Sequence, residues 1–112
     1  MRAANVFGDV VLCEFPFTSG AKSKIRPALL LFDFGEDALI CRITSVLHSE
    51  PLDVQIRDWR GAGLLRPSVA RLSRLVTAEK TIFLRCLGRL TAGDAAAIAD
   101  CWNAKMKLRV YV

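Results

Sequence analysis

The residues with most chemistry to offer stand where one apolar run begins and the next one ends. Arg26 precedes Pro27 and the run Ala28–Phe32, at the close of a loop-like stretch, TSGAKSKI, that also carries Lys22 and Lys24. Thr44 and Ser45 finish the run ALICRITS. Arginine offers a planar cationic fork that matches two phosphate oxygens, and hydroxyls add neutral donors. Between the two runs, GED (Gly35–Asp37) reads as a tight turn, so they pair as a hairpin. That pairing brings Thr44 and Ser45 to the same end of a sheet as Arg26. Singly, an arginine at a strand edge makes a surface salt bridge and a threonine at a strand end is a β-former. Together they outline an anion-binding mouth.

Other chemistry is excluded by pattern. The chain has no GxxxxGK[ST], no GxSxG and no GxGxxG. Cys13, Cys41, Cys86 and Cys101 are widely spaced and His48 is the one histidine, so ligands for zinc are not clustered. Cys13, Cys41 and Cys86 lie in apolar runs and read as small core residues. No metal and no cofactor is expected. His48 alone reads as a loop residue, and Glu14 and Asp33 read as strand-flanking surface acids.

Charge is unevenly placed. Residues 1–56 hold five Lys/Arg against seven Asp/Glu, and residues 57–112 hold eleven against four. Within 57–74 stand Arg57, Arg60, Arg66, Arg71 and Arg74 with Asp58 as the one acid, a pattern that suits either a solvated basic face or a polyanion partner. At 112 residues and 53% hydrophobic composition, one domain over 1–112 with a real core is expected. The run Pro27–Phe32 is too short to span a bilayer, and Asp9 and Glu14 interrupt any signal-peptide pattern. The expectation is a cytoplasmic protein with no membrane partner.

The elements that position these residues are mostly strands. GDVVLCEF (Gly8–Phe15) and RPALLLFDF (Arg26–Phe34) read as strands, with Pro27 tolerated at a strand start because it has no N–H for the ladder. LDVQIRDW (Leu52–Trp59) alternates with period two, as a half-exposed strand does. A glycine-punctuated connection, RGAGLLRPS, leads to the extended SVARLSRLVT, and TIFLRCLGRL (Thr81–Leu90) reads as the last strand. Then Thr91 and Asp94 have the spacing of a helix cap, and Ala95, Ile98, Ala99, Trp102 and Met106 share one helical face. The fold class is a mainly β domain with a closing helix.

In order and at this separation, GDVVLCEFPFTSGAKSKIRPALLL, ICRITS, VQIRDWRGAGLLRPSVARLSRLVT and LGRLT resemble the blocks of the PemK/MazF family of toxin endoribonucleases. The resemblance implies a small, strongly twisted, partly closed SH3-like antiparallel sheet with a C-terminal helix. It implies a homodimer that cuts single-stranded RNA, often mRNA, at short motifs without metal, and an acidic, partly disordered antitoxin that folds on binding. Carried across, the main catalytic pair is Arg26 and Thr44. Lys22, Lys24, Ser45, Arg71 and Ser73 take supporting or RNA-binding places. Ser73 stands where some relatives have an Asp, and Val46 stands where a Gln often follows the TS pair. A second reading is a non-catalytic binding module on the same fold, such as a topoisomerase inhibitor of the CcdB type, acting through the helix end at Trp102, Lys105 and Lys107.

Overall fold

The computed structural model describes residues 5–15 and 23–111. Six strands form one antiparallel sheet: β1 (Asp9–Phe15), β2 (Lys24–Asp33), β3 (Asp37–Thr44), β4 (Asp53–Ile56), β5 (Ser68–Glu79) and β6 (Phe83–Arg89). A short 3₁₀ turn (Lys80–Ile82) precedes β6, and helix α1 (Ala92–Lys105) follows it. The strand order is β4-β5-β3-β2-β1-β6, so β4 and β6 are the edges and the sheet does not close through strand pairing. Lys22 lies outside the described residues, as do the other residues between Phe15 and Ser23.

Alternation assigns the two faces. Val10, Leu29, Cys41, Ile43, Ile56, Ala70 and Leu72 point to one side, where Ile98 and Trp102 of the helix complete the larger core. Val11, Cys13, Ala28, Leu30, Ala38 and Ile40 point to the other and pack with Phe15, Ile82 and Phe83. Burial on both faces explains why β2 and β3 read as continuous apolar runs. Leu29, Leu30, Ile40 and Ile43 are at most 1% exposed, so each stabilises the fold by roughly 1.5–3 kcal/mol through side-chain burial.

The gap between the sheet edges is bridged by the connection from Arg57 to Pro67. Gly63, at φ +84°, lies so near the Leu87 carbonyl that a Cβ has no room, and Gly88 approaches the Ala62 carbonyl as closely. Glycine is required at both places, because only a bare backbone allows the connection to press on β6.

Two details differ from the sequence expectations. The fourth strand ends at Ile56 rather than Trp59, because the Arg57 and Asp58 N–H groups donate to the Asp94 carboxylate at 3.0 and 2.9 Å instead of to a neighbouring strand. Thr91 caps the helix as expected, its hydroxyl oxygen accepting from Asp94 N–H at 3.2 Å. Cys86 is exposed on the outer strand β6, whereas Cys13 and Cys41 are buried. No helix of the described residues is long and apolar enough to cross a membrane.

Candidate functional site

The site begins with a parting of strands. β2 pairs with β1 along Lys24 to Leu29, including Pro27 opposite Leu12 and Arg26 opposite Cys13. Its pairing with β3 ends at Ala28 opposite Arg42. Ile43 and Thr44 stay instead with β5, opposite Ala70 and Val69. The reason lies at Pro27. The Leu30 carbonyl accepts from Gly8 N–H at 3.2 Å, on the β1 side. By the two-residue alternation of an antiparallel ladder, Leu30, Ala28 and Arg26 aim their backbones at β1, and Pro27 aims its own at β3. A proline there has no N–H to donate, so the β2–β3 ladder stops.

Where the strands part, a groove of about 720 Å³ opens. Arg26, Thr44 and Ser45 line it, with Arg42 on the same strand as Thr44, Arg66 from the β4–β5 connection and Arg85 from β6. Its apolar walls include Leu12, Pro27, Ile43 and Leu64, and among the described residues no carboxylate lines it. All four arginines are exposed. Four cations facing one hollow without a counter-carboxylate make a strong anion site, since low-dielectric walls focus their field.

The polar groups are oriented for donation. The Arg26 guanidinium gives one N–H to the Ile25 carbonyl at 3.0 Å, which leaves its remaining N–H groups for a ligand. Thr44 is 9% exposed, and its hydroxyl oxygen accepts from Val46 N–H at 3.1 Å. That bond uses a lone pair and leaves the hydroxyl proton to be donated. Ser45 is exposed at the end of the same strand.

The other residues singled out from sequence take different places. Lys24 opens β2 and lies in a hollow beyond Arg26 rather than in this groove. Ser73 is exposed on β5 and does not line the groove. Arg71, grouped with the site on the resemblance, is 5% exposed and turned away. Its Nε donates to Asp53 Oδ1 and its Nη2 to Glu50 Oε2, both at 2.9 Å. Burial pushes the Asp53 carboxyl up, but the Arg71 hydrogen bond, the Glu50 N–H and the charges of Arg71 and His48 outweigh it and hold it below the usual carboxylate range. The hydrogen bond that Arg71 donates to Asp53 in turn raises the Arg71 guanidinium, against the opposing effect of burial. This pairing joins β5 to β4 and to the loop after Thr44, and its cation is already used.

Arg42, Arg66 and Arg85 are the residues that motif reading passed over or left in a general basic patch. Arg42 was within reach of sequence reasoning, because it stands two residues before Thr44 and so shares its face. Arg85 was not, since its place depends on β6 pairing with β1 opposite Leu12. Burial pushes the Cys13 thiol up to about 12, and Cys41 also to about 12. Neither is a thiolate nucleophile.

A family model described as PemK-like, MazF-like toxin of type II toxin–antitoxin system matches residues 7–104. No curated protein matches the sequence. Among solved structures, the Mycobacterium tuberculosis toxin MazF-mt6 superposes with a TM-score of 0.73 at 20% identity, covering 91% of this chain and 99% of that one. An endoribonuclease in complex with its cognate antitoxin, from a mycobacterial species, gives 0.75 at 17% identity, covering 96% and 100%. A MazE–MazF structure from Deinococcus radiodurans gives 0.71 at 18% identity, with coverage of 96% and 100%. At these identities the superpositions show the fold, and the family match over nearly the whole length shows the kinship: the chain belongs to the PemK-like, MazF-like toxins of type II toxin–antitoxin systems.

Proposed function

We propose that this toxin is a metal-independent endoribonuclease that cuts single-stranded RNA in the groove between β2 and β3, with Arg26 and Thr44 as its catalytic residues. The observation that carries the reading is the convergence of Arg26, the Thr44 hydroxyl and three further arginines on one carboxylate-free hollow. A phosphodiester is an anion that such a hollow fits.

The nucleophile is the RNA's own 2′-oxygen. A bond forms from it to the adjacent phosphorus, the bond from phosphorus to the 5′-oxygen breaks, and the 2′-proton passes to water while the leaving oxygen takes one from water. The products are a 2′,3′-cyclic phosphate, open to hydrolysis to a 3′-phosphate, and a 5′-OH. No carboxylate or imidazole lines the described part of the groove, so its side chains act by stabilising charge. The Arg26 fork meets the negative charge that grows on the phosphoryl oxygens, and the Thr44 proton adds a neutral donor. Ser45 is the further donor at the strand end, and Lys22 and Lys24 draw phosphates toward the entrance. On the same reading the toxin acts as a homodimer, and an acidic antitoxin segment that folds on binding competes for the arginines.

The test is cleavage of a long single-stranded RNA in EDTA by wild type, Arg26→Ala and Thr44→Ala, with the ends sequenced. Loss of one aimed donor lowers the rate by roughly 100- to 1,000-fold, and the cuts carry 5′-OH ends. Undiminished cleavage by Arg26→Ala removes it from the reaction. Retained RNA or protein binding by a wild type that never cuts moves the reading to a binding module.

A further inference from the structure

The groove has a neighbour of which the catalytic reading uses only Lys24 and Arg26. On the other side of Arg26 and Arg42 lies a second hollow of about 550 Å³, lined by Phe15, Lys24, Ile40, Arg74, Leu75 and Val76 together with those two arginines. Like the first, it has cations on its rim and, among the described residues, no carboxylate in its lining. The two hollows therefore meet at Arg26 and Arg42 and form one continuous basic track.

Arg74 stands within a local irregularity of β5. The β3–β5 ladder runs regularly from Asp37 opposite Glu79 to Cys41 opposite Leu75, then resumes with Arg42 opposite Arg71. Leu72, Ser73 and Arg74 are thus extra residues on β5 with no partner on β3. Bulges bend a strand and re-aim side chains, and they are enriched beside active sites. Here Leu72 turns fully into the core while Ser73 and Arg74 turn outward.

We propose that this second hollow is a nucleotide subsite for the RNA chain next to the cleaved bond, with Arg74 as its phosphate contact and Phe15 as a platform for the base. The inference rests on the endoribonuclease reading and extends it along the strand. Single-strand binders combine a basic track for the backbone with an aromatic face for a base, and the hollow offers both. Arg26 and Arg42, at the divide, then hold the phosphate shared by the two subsites.

The experiment measures binding of a single-stranded RNA that contains a cleavage motif, made uncleavable by a 2′-deoxy nucleotide at the cut, and lengthened one nucleotide at a time on each side. Wild-type affinity is expected to rise as the RNA grows into the hollow. Arg74→Ala should bind the longest RNA about tenfold more weakly, with the slope of log affinity against log salt shallower by roughly 0.7. Arg74→Lys should restore that slope, and Arg109→Ala, an exposed cation beyond the helix, should match wild type. Wild-type affinity and slope in Arg74→Ala overturn the subsite while leaving the endoribonuclease intact. Weaker binding with an unchanged slope also overturns it, because the arginine would then act on the fold rather than on a phosphate. Undisturbed RNA binding with weakened capture of an acidic antitoxin peptide assigns the hollow to the antitoxin and overturns it too. A wild type that neither cuts nor binds the cleavable RNA fails at the earlier step, and both proposals fall with it.

Discussion

Replacing Asp94 tests how the helix holds the wall of the groove. Its carboxylate is 4% exposed and accepts from the backbone N–H groups of Arg57 and Asp58 at 3.0 and 2.9 Å. It also stands in the first turn of α1, where a negative charge complements the helix dipole. In Asp94→Ala two donors lose a charged acceptor. Each such loss costs about 1–3 kcal/mol, and the lost dipole interaction adds about 0.3–1 kcal/mol. A hollow bordered by Arg57, Thr91 and Gly93 admits water to the vacated space and recovers part of this. The net loss is about 2–4 kcal/mol, a large share of the 5–15 kcal/mol that holds a typical domain.

Urea unfolding followed by Trp fluorescence reads the effect directly. With a slope of roughly 1–3 kcal/mol per molar, the midpoint should fall by roughly 0.7–4 M. Asp94→Asn separates charge from shape. The amide keeps one acceptor but turns a donor toward the other N–H, so it should lie between Ala and wild type and not reach wild type. An Asn variant as stable as wild type, or an Ala variant within about 0.5 kcal/mol of it, would refute the account of the helix as the anchor of the connection that bears Arg66.

Further expectations follow from the same contacts. Gly63→Ala combines a positive φ with a clash against the Leu87 carbonyl, so it should lower the melting temperature by more than about 10 °C; Gly35→Ala, also at positive φ but with open space around it, should lose only about 1 kcal/mol. The Asp53 carboxyl is depressed in the fold, so its contribution is whole above the ordinary value of 3.8 and is lost as pH falls beneath that toward the native value; Asp53→Asn should flatten this acid limb in a series of urea titrations. In the native protein iodoacetamide at mildly alkaline pH should label exposed Cys86 first, and Cys13 and Cys41 only after unfolding, as read by mass spectrometry of the peptides.

Much of the architecture is legible in local chemistry. Val10 to Phe15, Ala28 to Phe32 and Ala38 to Thr44 announce their strands through β-branched and apolar runs, and Thr91 with Asp94 announces the helix start. Residues 52–59 show the limit. Their alternation continues to Arg57, yet the strand stops at Ile56 because a carboxylate 36 residues further on takes the next N–H groups. Periodicity records which side chains are apolar, and it holds no record of a distant acceptor. Arg71 makes the same point for the site. A motif places it beside Arg26 and Thr44, whereas Glu50 and Asp53 decide where the guanidinium goes. The bulge at Leu72–Arg74 is equally silent in sequence, since register is a property of two strands and not of one.

Pro27 joins the legible and the illegible parts. Its identity forbids a hydrogen bond, which is local knowledge, but the consequence depends on which neighbour its backbone faces. Facing β1, it would have weakened the pairing that continues to Lys24 and Phe15. Facing β3, it ends the one pairing that would have covered Arg26 and Thr44. Arg26 is then carried on a strand paired on one side only, with its backbone held by Cys13 and its guanidinium over the opening. Thr44 is held from the opposite side by Val69, so the two halves of the site rest on different strand pairs and the gap between them is set by the sheet itself. The rigid spacing that charge stabilisation demands comes from two well-buried ladders, and the space for a substrate comes from the one hydrogen bond that proline cannot make.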